Sequence, residues 1–371
     1  MTVLLGIILL LPYFFFWGIV LRSTSRKDPS EPNIDHLPEI TIICSIRNEE
    51  LLLPQFLNKI ISLENSQPNS LYFILIDDQS TDHTPILLSK FLLSINFSDR
   101  VTLLKTSPEN SGKKQALNLA FREAKTQWAY VTDADCLTSW KSIKFLIQAA
   151  KSQSKAVFGP VIYTSKNTFL QVYQVLENSA LMMLGSFQSA RKNKTMGNAA
   201  NMLVHVNSFN KINPFNSNLH VAGGDDIFLI EAFTLSGLQV ETVSNPEASV
   251  YTPVLETWRE LWHQRIRWAQ KSRFQTKRNT QNSQILMVLF FILLWTITVI
   301  FINFAHYVEL ATMWGTKIIF DIYLLEKINR FYHQKSSIRY KMASSVFQTI
   351  FIPLIAVAQF FSKVYWKDRS Y

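Results

Sequence analysis

Three runs of the chain carry no charged side chain: residues 1–21, 285–305 and 342–362. Each has the length needed to cross a hydrocarbon core of about 30 Å at about 1.5 Å per residue. A fourth apolar run, 308–325, contains Glu309, Lys317 and Asp321. Lys317 and Asp321 are four apart, so they can pair on one helix face. Between the first two runs lies a polar stretch the size of a single α/β domain. Strand-like patterns occur there at 39–46, 71–77, 101–105, 128–133 and 156–162. Helical patterns fall between them, near 49–62, 85–94, 113–125 and 140–151, and again at 168–190. Thr84-Pro85 suits an N-cap followed by proline at the first helical position. Strands alternating with such helices argue for βαβ units and a mainly parallel sheet.

The expected organisation is therefore a transmembrane anchor at 1–21, a Pro-rich linker at 22–38 and an α/β domain at 39–253. A basic amphipathic interfacial segment at 254–278 follows, and then a transmembrane helix at 285–305. Residues 308–325 are a further candidate crossing, and 342–362 a crossing or, because of Pro353, a re-entrant helix.

Charge orients this scheme. No Lys or Arg precedes the first run, and no small-residue cleavage pattern follows it, which favours an uncleaved anchor over a signal peptide. Arg22, Arg26 and Lys27 come next. The positive-inside rule then puts the N-terminus outside and the polar domain in the cytoplasm. The segment 327–341 carries five basic residues and no acid, so it belongs in the cytoplasm too, and 308–325 must bring the chain back. Part of the formal net charge of +10 is concentrated at 259–278, where Glu260 is the only acid. Such density beside a membrane run suits anionic lipid heads. No recognition motif accompanies it, so nucleic acid is not expected as a partner. Trp258, Trp262 and Trp268 are interleaved with these cations, and both an interfacial and a core role stay open for the first two. Cys44 and Cys136 are far apart in apolar or acidic segments, and read as buried thiols without a disulfide or metal-site spacing.

In parallel α/β sheets, ligands bind at the carboxyl ends of strands. Asp77-Asp78 ends the second strand pattern and Asp133 the fourth, which puts both acidic clusters on one rim. Asp133 and Asp135, two apart where a strand opens into a loop, can both reach a divalent cation, and Mg²⁺ or Mn²⁺ prefers such oxygen ligands. Asp78 suits contact with a nucleoside, while Ser80, Thr81, Asp82 and Thr84 suit helix capping. Gly112-Lys113-Lys114 before a helix suits a phosphate or, equally, an exposed basic turn. In Gly223-Gly224-Asp225-Asp226, one acid suits an N-cap and the other a proton acceptor for an attacking hydroxyl. Gln264, Arg267 and Trp268 share one helix face; Arg can clamp phosphate, and Trp offers a stacking surface.

Taken together from about Glu39 to Phe274, these motifs resemble glycosyltransferase family 2, the membrane-bound inverting enzymes with a Rossmann-like GT-A fold. Ile40 to Glu50 is similar to the family's opening strand and its Asn-Glu turn. Asp77 to Asp82 is similar to its nucleoside-binding turn, Gly112-Lys113 to its lysine motif, and Asp133-Ala134-Asp135 to its D-x-D. Asp225-Asp226 resembles a motif usually written Glu-Asp, and Gln264 to Trp268 resembles Q-x-x-R-W.

The resemblance implies that Arg47, Glu49, Asp78, Lys113 and Asp133 bind the nucleotide-sugar. It implies that Asp135, with Asp133, holds Mg²⁺ or Mn²⁺. Asp226 becomes the base beside Asp225, and Gln264, Arg267 and Trp268 clamp the acceptor or the diphosphate. The implied reaction moves a sugar, by default from a UDP-sugar, to a lipid or lipid-linked acceptor at the cytoplasmic membrane face. The alternatives are a processive polysaccharide synthase, a non-catalytic membrane binding protein on the same scaffold, and a metal-dependent nucleotidyltransferase.

Overall fold

A computed structural model describes residues 2–23, 38–150, 154–164, 167–190, 196–272, 274, 278–363, 365–366 and 369–370. Most of the expected linker, residues 24–37, lies outside the described residues. The first half forms α1 (Thr2–Ser23), β1 (Ile40–Ile46), α2 (Leu53–Ser66), β2 (Leu71–Asp77), α3 (Thr84–Ser94), β3 (Val101–Lys105), α4 (Lys113–Glu123), β4 (Trp128–Asp133) and α5 (Trp140–Ala150). There follow β5 (Ala156–Phe158), β6 (Val161–Thr164), α6 (Phe169–Ala190), β7 (Met202–His205), α7 (Val206–Ile212), α8 (Asp225–Leu235), β8 (Val240–Thr242) and β9 (Val250–Pro253). The chain continues as α9 (Trp258–Ser272), α10 (Arg278–Asn303), α11 (Tyr307–Phe331) and α12 (Ile338–Ala358). These elements fall into two compact units. One comprises Asp28–Thr164, Arg191–Pro253 and Tyr365–Tyr371; the other comprises Met1–Lys27, Ser165–Ala190 and Val254–Val364.

The first unit is built on a seven-stranded sheet of order β3-β2-β1-β4-β7-β5-β8. Its first four members are parallel, while β7 runs antiparallel to both β4 and β5. The strands are apolar almost throughout because both faces are covered. In β2, Leu71, Phe73 and Leu75 join one core with α2 and α3, whereas Ile74 and Ile76 join another with α4 and α8. That is the two-residue alternation of a pleated strand serving two layers.

The sequence pattern at 156–162 predicts one strand, but the chain forms two. Pro160 cannot donate to a ladder. At Gly159 the backbone runs against Asn201, whose amide nitrogen would lie 2.3 Å from any added Cβ. Past this point β6 leaves the main sheet and pairs in parallel with β9. The buried Asn201 amide fixes the break by donating to the Pro160 and Ala248 carbonyls at 2.9 Å each and accepting from the Tyr130 hydroxyl at 3.0 Å.

In the helical unit, residues Gln284–Asn303 and Ile338–Ala358 are long and apolar enough to cross a membrane. Pro353 sits inside α12, which continues through it. Leu10, Phe291, Leu294, Phe301 and Met313 form an apolar core among α1, α10 and α11. Lys317 and Asp321, fully buried on α11, pair at 2.6 Å as their spacing predicts. The Tyr13 hydroxyl of α1 donates to Asp321 Oδ1 at 2.8 Å, and Lys317 Nζ donates to the Ser345 carbonyl of α12 at 2.9 Å. Each buried charge is thereby paired and hydrogen-bonded, the condition under which an apolar interior tolerates it. Trp258 and Trp262 of α9 pack against Phe347 and Phe351 of α12, at ring-centroid distances of 5.2 and 6.1 Å.

Candidate active site

β1 lies between β2 and β4, and the register pairs Ile46 with Asp77 and Ser45 with Asp133. With strands about 4.8 Å apart, the two acids stand about 10 Å from each other on the carboxyl rim.

Two loops leaving this rim are bound to each other. Arg47 donates Nη1 to the carbonyls of Asp78 and Gln79 at 2.8 and 2.6 Å. The Asn48 carboxamide oxygen accepts the Thr81 N–H at 2.9 Å, and the Glu49 N–H donates to the Thr84 hydroxyl at 3.0 Å. Asn48 and Gln79 take the left-handed region, at φ 48° and 58°. Thr84 is not the N-cap that the sequence suggests, because its hydroxyl serves Glu49. Asp82 does the capping work instead, accepting the Thr84 N–H at 3.0 Å and the Glu50 N–H at 3.1 Å. Burial opposes ionisation of Asp82, but the bonds from Thr84 and Glu50 outweigh it and hold its carboxyl below the ordinary aspartate value.

Asp78 is 1% exposed. Its Oδ1 accepts the Thr106 hydroxyl at 3.0 Å and the Gly112 N–H at 2.7 Å. Gly112, at φ 111°, is the N-cap of α4, a conformation that glycine adopts without strain. Lys113 is the first residue of that helix. Its Nζ lies 2.7 Å from Asp133 Oδ1 and 2.9 Å from Asp225 Oδ2. Burial pulls the ammonium's pKa down, yet the two carboxylates overcome this and raise it above the ordinary lysine value. Asp225 and Asp226 open α8 behind Gly223 and Gly224, whose φ values are 70° and 78°. Gly224 is the N-cap, so neither acid is, and both carboxylates sit in the first turn where the helix dipole favours them. The Asp225 side chain is 10% exposed; Asp226 is half-buried, and its Oδ1 accepts the Ile227 N–H at 2.8 Å.

Asp133 remains 34% exposed at its side chain. A turn closed by the Cys136 N–H on the Asp133 carbonyl, at 3.1 Å, carries Asp135, whose Oδ1 accepts the Cys136 thiol at 3.4 Å. Asp133 and Asp135 offer hard oxygen donors of the kind Mg²⁺ and Mn²⁺ take. Among the described residues, no three His, Cys, Asp or Glu side chains gather in metal-holding geometry. Two protein carboxylates completed by substrate oxygens are the donor set that fits. Cys44 and Cys136 are free and buried, and burial pushes both thiols up, with help from the Asp133 and Asp135 carboxylates.

One bonded chain thus joins Asp78, Gly112, Lys113, Asp133 and Asp225. Sequence reasoning missed Thr106, which completes the Asp78 shell, because a lone threonine carries no motif. It also left Lys114 in a basic turn. That side chain is buried, 4.6 Å from the Phe228 ring centroid, and donates to Asn218.

Gln264, Arg267 and Trp268 are half-buried on α9, in the helical unit. The residue between them, Arg265, is the buried anchor. It binds Glu177 of α6 through Nε at 2.9 Å, and its guanidinium lies 4.2 Å from the Trp268 ring centroid. The sequence did not single out Glu177.

Residues 41–212 match Glycosyl transferase family 2. The poly-beta-1,6-N-acetyl-D-glucosamine synthase of Staphylococcus aureus (strain COL) is 26% identical over 268 residues, covering 70% of this chain and 60% of that protein. The probable glycosyltransferase YdaM of Bacillus subtilis (strain 168) is 25% identical over 253 residues, covering 65% of this chain and 57% of its own. The match therefore spans about three-fifths of these relatives' length. Among solved structures, the mannosyltransferase PcManGT from Pyrobaculum calidifontis, in complex with GDP-Man and Mn²⁺, superposes with a TM-score of 0.54 at 17% identity, over 97% of this chain and 96% of that one. The acidic motifs on a sheet of this order, the family match across residues 41–212 and the superposition lead to one conclusion: the chain has the GT-A fold, and its segment 41–212 is similar to Glycosyl transferase family 2.

Proposed function

We propose that the protein transfers a sugar from a nucleotide-sugar, by default a UDP-sugar, to a lipid or lipid-linked acceptor at the cytoplasmic face of a membrane, with inversion at the anomeric carbon. The observation that carries this reading is the Lys113 ammonium set between Asp133 and Asp225. It ties the D-x-D turn to the Asp-Asp turn, which supports a reading in which donor and acceptor chemistry share one site.

In this reading Asp78 and its neighbours Arg47 and Glu49 shape the nucleoside side of the rim, and Lys113 neutralises diphosphate charge. Asp133 and Asp135 would hold Mg²⁺ or Mn²⁺, which supplies further charge neutralisation at the departing diphosphate. Asp226, the more exposed of its pair, accepts the proton of the attacking hydroxyl, while Asp225 orients Lys113. Arg267, with Gln264 and Trp268, clamps the diphosphate or the acceptor. α1, α10, α11 and α12 cross the bilayer, with the N-terminus outside.

A second reading, processive polysaccharide synthesis, is favoured by the likeness to the poly-beta-1,6-N-acetyl-D-glucosamine synthase. One assay addresses both: nucleoside diphosphate release from a panel of nucleotide-sugars on membranes holding the protein, with mass analysis of the products. A single added sugar on a lipid supports the first reading, and a ladder of oligosaccharides supports the second. Pyrophosphate release would sink both.

A further inference from the structure

A groove of about 600 Å³ opens on the helical unit where the end of α11 meets the start of α12. Its lining is divided by polarity. Ile319, Ile322, Tyr323 and Ile338 form an apolar wall, of which Ile319, Tyr323 and Ile338 are 69%, 53% and 62% exposed. Lys327, Arg330 and Lys341 gather toward the hairpin between the two helices, with Glu326 the single acid. Glu326 holds Lys341 at 2.6 Å and Arg330 at 2.7 Å. Lys341 also donates to the Ser336 carbonyl at 3.0 Å. Lys327 has no ion pair among the described residues, its Nζ standing 5.6 Å from the Tyr323 ring centroid. Three cations against one carboxylate leave the charged end net positive. From Ile319 to Arg330 the groove follows about 16 Å of helix at about 1.5 Å per residue. That is the length of a lipid headgroup with the first part of an acyl chain.

We propose that this groove binds one anionic phospholipid, its phosphate on Lys327 and Arg330 and its acyl chain along Ile319 and Ile322. The charge arrangement selects the occupant, since a cationic recess at the mouth of an apolar channel between membrane helices complements an anionic headgroup and its tail. The inference rests on the reading of α11 and α12 as membrane helices.

The test uses the purified full-length chain in mild detergent, with equal amounts of phosphatidylglycerol and phosphatidylcholine. Native mass spectrometry then counts the retained lipids. Phosphatidylglycerol is expected to be retained at least fivefold over phosphatidylcholine. The doubly substituted Lys327→Gln, Arg330→Gln protein should lose that preference, while Lys327→Arg keeps it. Ile319→Trp, which fills the groove without changing charge, should also release the lipid. Equal retention of the two lipids overturns the proposal. So does an unchanged preference in the double variant, or complete displacement by excess inorganic phosphate, which needs no apolar wall. Alkaline carbonate extraction of native membranes separates the two readings. A protein released by carbonate overturns the membrane assignment together with the groove. If the protein stays in the pellet but the double variant keeps the parent's lipid preference, the groove alone is overturned.

Discussion

The Asp78 carboxylate accepts the Gly112 N–H at 2.7 Å, and Lys113 is the next residue in the chain. A single hydrogen bond therefore couples the loop after β2 to the ammonium that meets Asp133 and Asp225. Replacing Asp78 by Ala leaves both this N–H and the Thr106 hydroxyl without their buried acceptor. Thermal unfolding should report a loss of about 1–3 kcal/mol. Asp78→Asn, which keeps one acceptor, should lose less, and the donor KM should rise in the same order.

Lys113→Met removes the cation that Asp133 and Asp225 share. Two carboxylates then face each other across an apolar stub. The kcat/KM for nucleoside diphosphate release should fall at least about 100-fold, or about 2.7 kcal/mol. Lys113→Arg should retain part of the activity. Equal rates for Lys113→Met and the parent would separate the ion pair from catalysis.

The two acids of α8 should behave differently. Asp226→Asn is expected to lower kcat about 100-fold or more with an unchanged unfolding midpoint, as for a lost general base. Asp225→Asn removes a buried ion-pair partner and should lower stability as well as rate. Steady-state kinetics beside thermal scans on both variants distinguish the roles.

Metal dependence has a direct readout. Chelation should abolish nucleoside diphosphate release, and Mn²⁺ or Mg²⁺ should restore it. Asp135→Asn should raise the metal concentration needed for half-maximal activity.

The Asp82 carboxyl titrates below its unfolded value, so the stability it contributes is full above about pH 4 and fades as pH falls through the lower folded value. Asp82→Ala should lower stability near pH 7, where the contribution is full, and flatten the acid limb of the stability curve as pH falls, so that variant and parent converge at low pH. Unfolding midpoints measured from pH 5 downward would check this.

The strands that carry the site were legible because β1, β2, β3 and β4 are short, apolar and bounded by polar turns, and Asp77-Asp78 and Asp133 sit where β2 and β4 stop. The split at Gly159-Pro160 was not legible, since its cause is Asn201, about 40 residues away in sequence. β7 escaped for a similar reason. Its four residues reveal a strand only once β4 and β5 flank them, both antiparallel to it. Within the site, residue types that announce themselves by repetition, such as Asp133 with Asp135, were found. Residues that act by holding others, such as Thr106 for Asp78 and Glu177 for Arg265, have no local signature.

Tyr13 completes the shell of a carboxylate some three hundred positions downstream, on α11. Trimming the leading hydrophobic stretch to improve expression would therefore do more than detach a tether. It would strand Asp321 with a missing donor, and the defect would surface in a part of the polypeptide that the truncation never touched.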